Sequence, residues 1–319
     1  MWKKKNVPKA MDGGSASISA ALHNDEARKT PRMGGIVVWG SVLITTLIFW
    51  LLAAFFPTFV TEKLSFLSRN QTWLPLFSLL AAALVGLVDD LLQVQEHGEG
   101  VGGGLSAWKR IMAVLIIGLI GAWWFYFKLG VSTIGIPFFV GIDLGIFFIP
   151  FFMIVMLALF SGGVIDGLDG LSGGVFASMF AAYAGIAFVQ QQVDIAAFCA
   201  VVVGAVLAFL WYNIPPARFF LSETGTLALT VTLAVVAFLT DAVPVLLIIA
   251  FPLLITSAST IIQLLSKRFR HGKKVFLVAP LHHHFQAMGW PATKVVMRYW
   301  IVSVVMAVSG MVVAIVGKL

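Results

Sequence analysis

The sequence predicts an all-α polytopic membrane protein of about nine transmembrane helices, and three observations carry that prediction. Of the 319 residues, 60% are hydrophobic and only 11% charged, with a mean hydropathy of +0.99; a water-soluble globule would have far too little polar surface at this composition. Nine stretches are apolar over roughly the 20 residues that a helix needs to cross a hydrocarbon core about 30 Å thick. The basic residues are also one-sided. If the N-terminus lies inside, all of the 21 lysines and arginines except Lys63, Arg69, Lys128 and Lys318 fall on segments facing the cytoplasm, as the positive-inside rule requires.

Residues 1–35 are polar, basic and rich in small residues, with no apolar run of signal-peptide length, so they read as a cytoplasmic arm and not as a cleaved leader. Residues 36–319 then form one transmembrane domain. Its expected spans are 36–56, 72–92, 110–127, 145–162, 171–190, 195–213, 224–240, 243–264 and 296–316. Alternation with the period of a barrel strand is absent, so the spans are helices. Two of them, 145–162 and 224–240, are short or punctuated by glycine; nine becomes eight or ten if one segment is re-entrant. Between the third and fourth spans, "VSTIGIPFFVGID" at 131–143 combines strand formers with turn residues and predicts a short β-hairpin on the outer, periplasmic face. The lone cysteine, Cys199, excludes an intrachain disulfide. The formal charge of +7 is mostly a topological signal, with attraction to anionic lipids or phosphorylated substrates second. Membrane lipids are therefore expected partners and nucleic acid is not.

Randomly scattered carboxylates and histidines would appear on both faces, but here they gather on the cytoplasmic one. Asp89 and Asp90 end the second span, Asp166 and Asp169 follow the fourth in "GGVIDGLDGLSGG", Glu223 follows the sixth in "NIPPARFFLSETG", and His282, His283 and His284 precede the ninth. Adjacent carboxylates repel, and a raised pKa or a bound cation relieves the repulsion; hard oxygen ligands favour magnesium or manganese. Each feature also has a plainer reading. A pair of acids at a helix end can simply sit in water, the glycines around Asp166 can serve helix packing, and Glu223 can complement a helix N-terminus after a proline-rich turn. For the histidines a zinc tract lacks a second Cys/His cluster to complete it, whereas imidazoles near Lys273 and Lys274 suit a phosphate.

Taken in order, "KTPRMGG" (29–35), "GLVDD" (86–90), "GLSA" (104–107), "DGLDGL" (166–171), "NIPPARFFLSETG" (213–225) and "APLHHHFQAMGW" (279–290) resemble the motifs of the phospho-N-acetylmuramoyl-pentapeptide transferase family, within the polyprenyl-phosphate N-acetylhexosamine-1-phosphate transferases. The resemblance spans roughly residues 29 to 310, and the triple histidine is its most specific part. It implies a bacterial inner-membrane, multi-pass enzyme with its active site facing the cytoplasm. Such an enzyme moves phospho-N-acetylmuramoyl-pentapeptide from UDP-N-acetylmuramoyl-pentapeptide to undecaprenyl phosphate, releases UMP, and uses Mg2+. It implies roles as well. Asp89, Asp90, Glu223, His282, His283 and His284 would be catalytic, with Asp89 or Asp90 acting on the acceptor phosphate and the histidines contacting substrate phosphates. Asp166, Gly167, Leu168, Asp169, Asn213 and Phe220 would bind substrate, and Glu223 and Asp89 would hold the metal. A homodimer is compatible with this reading.

The pattern is broken near the proposed site. Glu223 stands where the family has aspartate and Ser222 where it has glycine; Gln93 replaces a lysine, Gly163 an asparagine, Arg32 a threonine and Trp108 an arginine. No span is expected within residues 1–28, upstream of "KTPRMGG", so nine spans are expected where the family has ten. Two alternatives therefore stay open: a catalytically degenerate paralogue that binds lipid phosphate or nucleotide, and a relative using another UDP-N-acetylhexosamine. A transporter is disfavoured because these acids sit at one face and not at the midplane.

Overall fold

The computed structural model describes residues 30–67, 70–95 and 103–318. Most of the expected arm at 1–35, and residues 96–102 of the loop after the aspartate pair, lie outside the described residues. In chain order the helices are α1 Gly35–Phe55, α2 Phe59–Leu64, α3 Asn70–Gln95, α4 Ala107–Trp123, α5 Phe148–Ser161, α6 Leu171–Val189, α7 Val193–Asn213, α8 Ser222–Leu239, α9 Leu246–Ile249, α10 Phe251–Phe269, α11 Leu281–Ala287 and α12 Ala292–Val316. The chain is a multi-pass membrane protein: among the described residues, eight helices are long and apolar enough to span a bilayer.

Helix α8 is the axis of the bundle. Every residue from Thr224 to Leu239 is buried, as expected of a helix that is apolar all round. Its threonines satisfy their hydroxyls locally, with Thr226, Thr230 and Thr232 donating to the carbonyls of Ser222, Thr226 and Ala228, the usual way for a buried hydroxyl to avoid an unpaired donor in a dry interior. Helix α3 packs most extensively against α8. Gly86 makes this possible, because a Cβ there would lie 2.3 Å from the Glu223 carbonyl oxygen. Peripheral helices bury only one stripe: in α1 it is Gly35, Val38, Val42 and Thr46, and in α12 Val296, Tyr299, Ser303, Ala307, Gly310 and Ala314. Their remaining apolar faces point outward, where lipid satisfies them.

The stretch expected as a span at 243–264 is divided. It forms the single turn α9, breaks at Ala250, and restarts as α10 with proline in its first turn. Helix α10 is inverted relative to a water-facing helix: Thr256, Ser257, Ser259, Gln263 and Ser266 are buried, while Ile255, Ile261, Ile262, Leu264 and Leu265 are exposed. That polar stripe, together with Lys267 and Arg268 in the last turn, dilutes its hydropathy and leaves it outside the eight. The expected hairpin is present as β1 Thr133–Ile136 and β2 Phe139–Asp143, antiparallel with Ile134 opposite Ile142. It is clasped to the helix ends there: Asp241 Oδ1 accepts from Gly135 N at 2.7 Å, and Phe138 N donates to the Gly317 carbonyl at 2.9 Å.

Candidate active site

At the end of the bundle away from the hairpin, the separated polar motifs are joined by hydrogen bonds. Residues 31–35 lie against the start of α8: Phe220 N donates to Pro31 O at 2.9 Å, Gly34 N to Phe220 O at 2.7 Å, and Gly35 N to Leu221 O at 3.0 Å. Phe220 thus contributes backbone contacts, its ring being partly buried.

The adjacent aspartates do different things because successive residues on a helix point some 100° apart. Asp90 is fully buried and faces α8, where Oδ2 accepts from Thr224 N at 2.9 Å and Oδ1 from Glu223 N at 3.3 Å. It caps that helix from a neighbouring one, satisfying two donors that have no partner within the helix. Asp89 faces the loop instead: Oδ1 accepts from Leu105 N at 2.6 Å and Oδ2 from Gln93 Nε2 at 2.5 Å. Gln93 in turn accepts from Arg32 Nη1. On the other side, Arg110 Nε is 4.0 Å from Asp89 Oδ1, and Arg110 Nη1 is 2.5 Å from Glu223 Oε1. A continuous line of side chains results, Arg32 to Gln93 to Asp89 to Arg110 to Glu223, drawn from four segments.

The glycine-rich loop after α5 supplies the next acids. Asp166 Oδ1 accepts from Ser172 Oγ at 2.6 Å and Oδ2 from Ser222 N at 2.9 Å. Burial pushes its carboxyl above the usual range, and those two hydrogen bonds and the Arg32 charge work against the rise. Asp169 Oδ2 accepts from Ala217 N at 3.0 Å. Asn213 is buried and ties this loop to the proline-rich one, accepting from Gly170 N at 2.9 Å and donating to Phe219 O at 2.8 Å. Leu168 is partly buried against the core.

The polar stripe of α10 delivers the histidines. Gln263 Oε1 accepts from Val275 N and Phe276 N, both at 3.0 Å, while Nε2 donates to Phe276 O at 2.9 Å. Ser266 Oγ donates to Lys273 O and Ser259 Oγ accepts from Leu281 N, each at 2.9 Å. The irregular strap 273–281 so held, ending in the first residue of α11, presents that helix to the acidic loop. His282 and His283 are buried against Gly167, where a Cβ would lie 2.3 Å from His282 Nε2 and 2.9 Å from His283 Nε2. Only glycine lets both rings reach that backbone. His283 Nδ1 is 2.8 Å from Gln286 Oε1. His284 points elsewhere, its Nδ1 accepting from Leu277 N at 3.2 Å.

The structure therefore brings Asp89, Asp166, Asp169, Glu223, His282 and His283 to one end, with Asp90 and Asn213 beneath them as braces and His284 turned from α11 toward the strap. The sequence alone shows Lys109 and Arg110 following Trp108 but gives Arg110 no role, and it signals neither Gln263 nor the partnership of Arg32 with Gln93. A cation three residues after "GLSA" was a usable signal for Arg110; nothing in a linear reading links position 263 to 276. The broken positions acquire physical context too. Ser222 has φ +58°, a conformation that glycine adopts freely. A Cβ at Gly163 would meet only Thr226, at 3.8 Å, so the site tolerates a side chain there.

As a metal site the arrangement is sparse: among the described residues no group of three or more His, Cys, Asp or Glu side chains has metal-binding spacing. Magnesium, however, commonly uses one or two carboxylates, with water and substrate phosphates completing the octahedron. Asp89 and Glu223, on either side of Arg110, fit that sparser donor set.

The glycosyl transferase family 4 model matches residues 72–241, a range that holds every acid of the site but neither Arg32 nor the histidines. The chain is similar to proteins named phospho-N-acetylmuramoyl-pentapeptide-transferase. With that of Geobacillus sp. (strain WCH70) it shares 38% identity over 290 residues, covering 88% of this chain and 82% of the relative. With those of Geobacillus thermodenitrificans (strain NG80-2) and Listeria monocytogenes serovar 1/2a (strain ATCC BAA-679 / EGD-e) it shares 37% over 287 and 33% over 282 residues, at the same coverage.

Proposed function

This chain belongs to glycosyl transferase family 4, among the phospho-N-acetylmuramoyl-pentapeptide-transferases, and we propose that it moves phospho-N-acetylmuramoyl-pentapeptide from its UDP carrier to undecaprenyl phosphate with release of UMP. The observation that carries this reading is the line of side chains from Arg32 to Glu223, bordered by the Asp166 loop and the two buried histidines. It gathers acids, cations and imidazoles at one end of an apolar bundle, which is where a phosphate on a lipid could meet a soluble diphosphate.

In the reaction an oxygen of the acceptor phosphate forms a bond to the β-phosphorus of the UDP-linked substrate. The bond from that phosphorus to the bridging oxygen breaks, and its electron pair leaves with UMP. Asp89 is held by the Leu105 N–H and the Gln93 amide; it orients the acceptor phosphate and takes its proton if one is present. Arg110 offsets charge between Asp89 and Glu223. His282 and His283, with two rings against one stretch of backbone, lie where they can donate to phosphate oxygens. Asp166 and Asp169 frame the loop that receives the nucleoside. Glu223 and Asp89 would hold magnesium, which when bound supplies charge neutralisation at the diphosphate and the departing nucleotide. Much of the remaining acceleration is positioning.

The site end faces the cytoplasm in this proposal, because Lys267, Arg268, Lys273, Lys274, Lys294 and Arg298 lie on that side. With Lys274→Cys and Val140→Cys in intact cells, an impermeant thiol reagent should modify only position 140. The decisive assay is UMP release by the purified chain in nanodiscs, with both substrates and with each omitted. Release that requires both substrates and magnesium supports the proposal; nucleotide binding without release identifies a non-catalytic relative.

A further inference from the structure

We infer that Arg32 is a phosphate-binding residue of this site and that Gln93 positions it. The backbone around Arg32 is fixed on both sides, by Phe220 N on Pro31 O at 2.9 Å and by Gly34 N on Phe220 O at 2.7 Å. Its guanidinium donates to Gln93 Oε1, and the same amide donates through Nε2 to Asp89 Oδ2 at 2.5 Å. With an acceptor end toward a cation and a donor end toward a carboxylate, the amide has one workable orientation. It holds the guanidinium without cancelling its charge.

That separates the two arginines. Arg110 is committed to Glu223 at 2.5 Å and lies 4.0 Å from Asp89. Arg32 is exposed and, among the described residues, has a neutral amide as its hydrogen-bond partner and no carboxylate at ion-pair distance. An approaching phosphate meets Asp89, Asp166, Asp169 and Glu223, all repulsive. Among the described residues Arg32 is a cation beside them with no ion pair of its own, and its remaining donors form the planar fork that suits phosphate oxygens. The two departures noted above, arginine for threonine at 32 and glutamine for lysine at 93, are thus in direct contact: one positive charge has moved across a single hydrogen bond.

This inference rests on the transferase reading only for the choice of ligand, an anionic phosphate ester, which could be the soluble nucleotide or the lipid acceptor. The test uses the full chain in nanodiscs. Uridine diphosphate is titrated calorimetrically in one arm, and undecaprenyl phosphate incorporated in the disc is varied in the other, read as its KM or, failing turnover, as binding. Arg32→Thr should weaken one arm roughly tenfold, the value of about one charge-assisted hydrogen bond. Arg32→Lys should fall between, and Arg32→Thr with Gln93→Lys should recover most of the loss, because a lysine at 93 lies one turn from Asp89 and restores the charge. Melting temperatures should stay together across the set. Equal affinity of parent and Arg32→Thr in both arms overturns the inference, as does a double variant no better than the single one. Uridine diphosphate binding that depends on Arg32 without UMP release would defeat the transferase reading alone; UMP release indifferent to Arg32 would defeat this inference alone.

Discussion

The Arg110 guanidinium lies 2.5 Å from Glu223 Oε1 and 4.0 Å from Asp89 Oδ1, so one side chain from the first turn of α4 holds the first turn of α8 to the last turns of α3. Both members of the close pair are mostly shielded from solvent, with side chains 17% and 29% exposed, and the pair therefore escapes much of the screening that makes surface ion pairs weak. Arg110→Met strands the Glu223 carboxylate and should cost about 1–2 kcal/mol. Glu223→Gln keeps a neutral acceptor and should cost less. A double-mutant cycle on thermal unfolding should return a coupling on the order of 1 kcal/mol. Glu223→Gln should also abolish magnesium-dependent UMP release; unchanged release at limiting magnesium removes Glu223 as a metal ligand.

The two neighbouring aspartates should separate cleanly. Asp90→Ala removes the acceptor for Glu223 N and Thr224 N and should destabilise the fold by about 2 kcal/mol, in the range of a lost helix cap. Asp89→Asn keeps the shape of the side chain and an acceptor, and should leave the melting temperature nearly unchanged while lowering UMP release about a hundredfold or more. The reverse pattern would exchange their roles.

Ser222 occupies left-handed backbone with φ +58°, which costs an L-residue about 1–2 kcal/mol. Ser222→Gly relieves this while giving back part of the gain through a more flexible unfolded chain, for a net stabilisation of about 0.5–1 kcal/mol. Ser222→Ala keeps the Cβ and should show no such gain. Comparing the two melting curves isolates the backbone term, since both variants retain the N–H donated to Asp166.

Gly167→Ala should push α11 away from the acidic loop, because its Cβ would fall 2.3 Å from His282 Nε2. Overpacking of this kind costs about 1–3 kcal/mol when rigid neighbours must move. The expected result is a large loss of UMP release together with new accessibility of the histidines to an imidazole-modifying reagent. Retained activity would mean that the histidines work without touching this loop.

Membership of the membrane class, the hairpin at 131–143 and the list of polar motifs were all legible in the sequence, because each depends on local composition or on a short pattern. A run of apolar residues must be buried in lipid or protein wherever it lies, and charges excluded from hydrocarbon collect at its ends. The division of 243–264 was not legible. Hydropathy averages over a window, whereas α10 turns its serines, threonines and Gln263 inward to grip the strap 273–281 and its isoleucines and leucines outward.

The sequence by itself determined which chemical groups are present and which helices carry them. Only the tertiary structure decided their work: that Asp90 caps a helix while Asp89 faces the loop, that Arg110 pairs with Glu223 113 positions away, and that Arg32 and Gln93 are partners. The reason is that a hydrogen bond depends on distances of about 3 Å and on direction, and no local rule of chain geometry relates the positions of side chains on different helices until those helices pack.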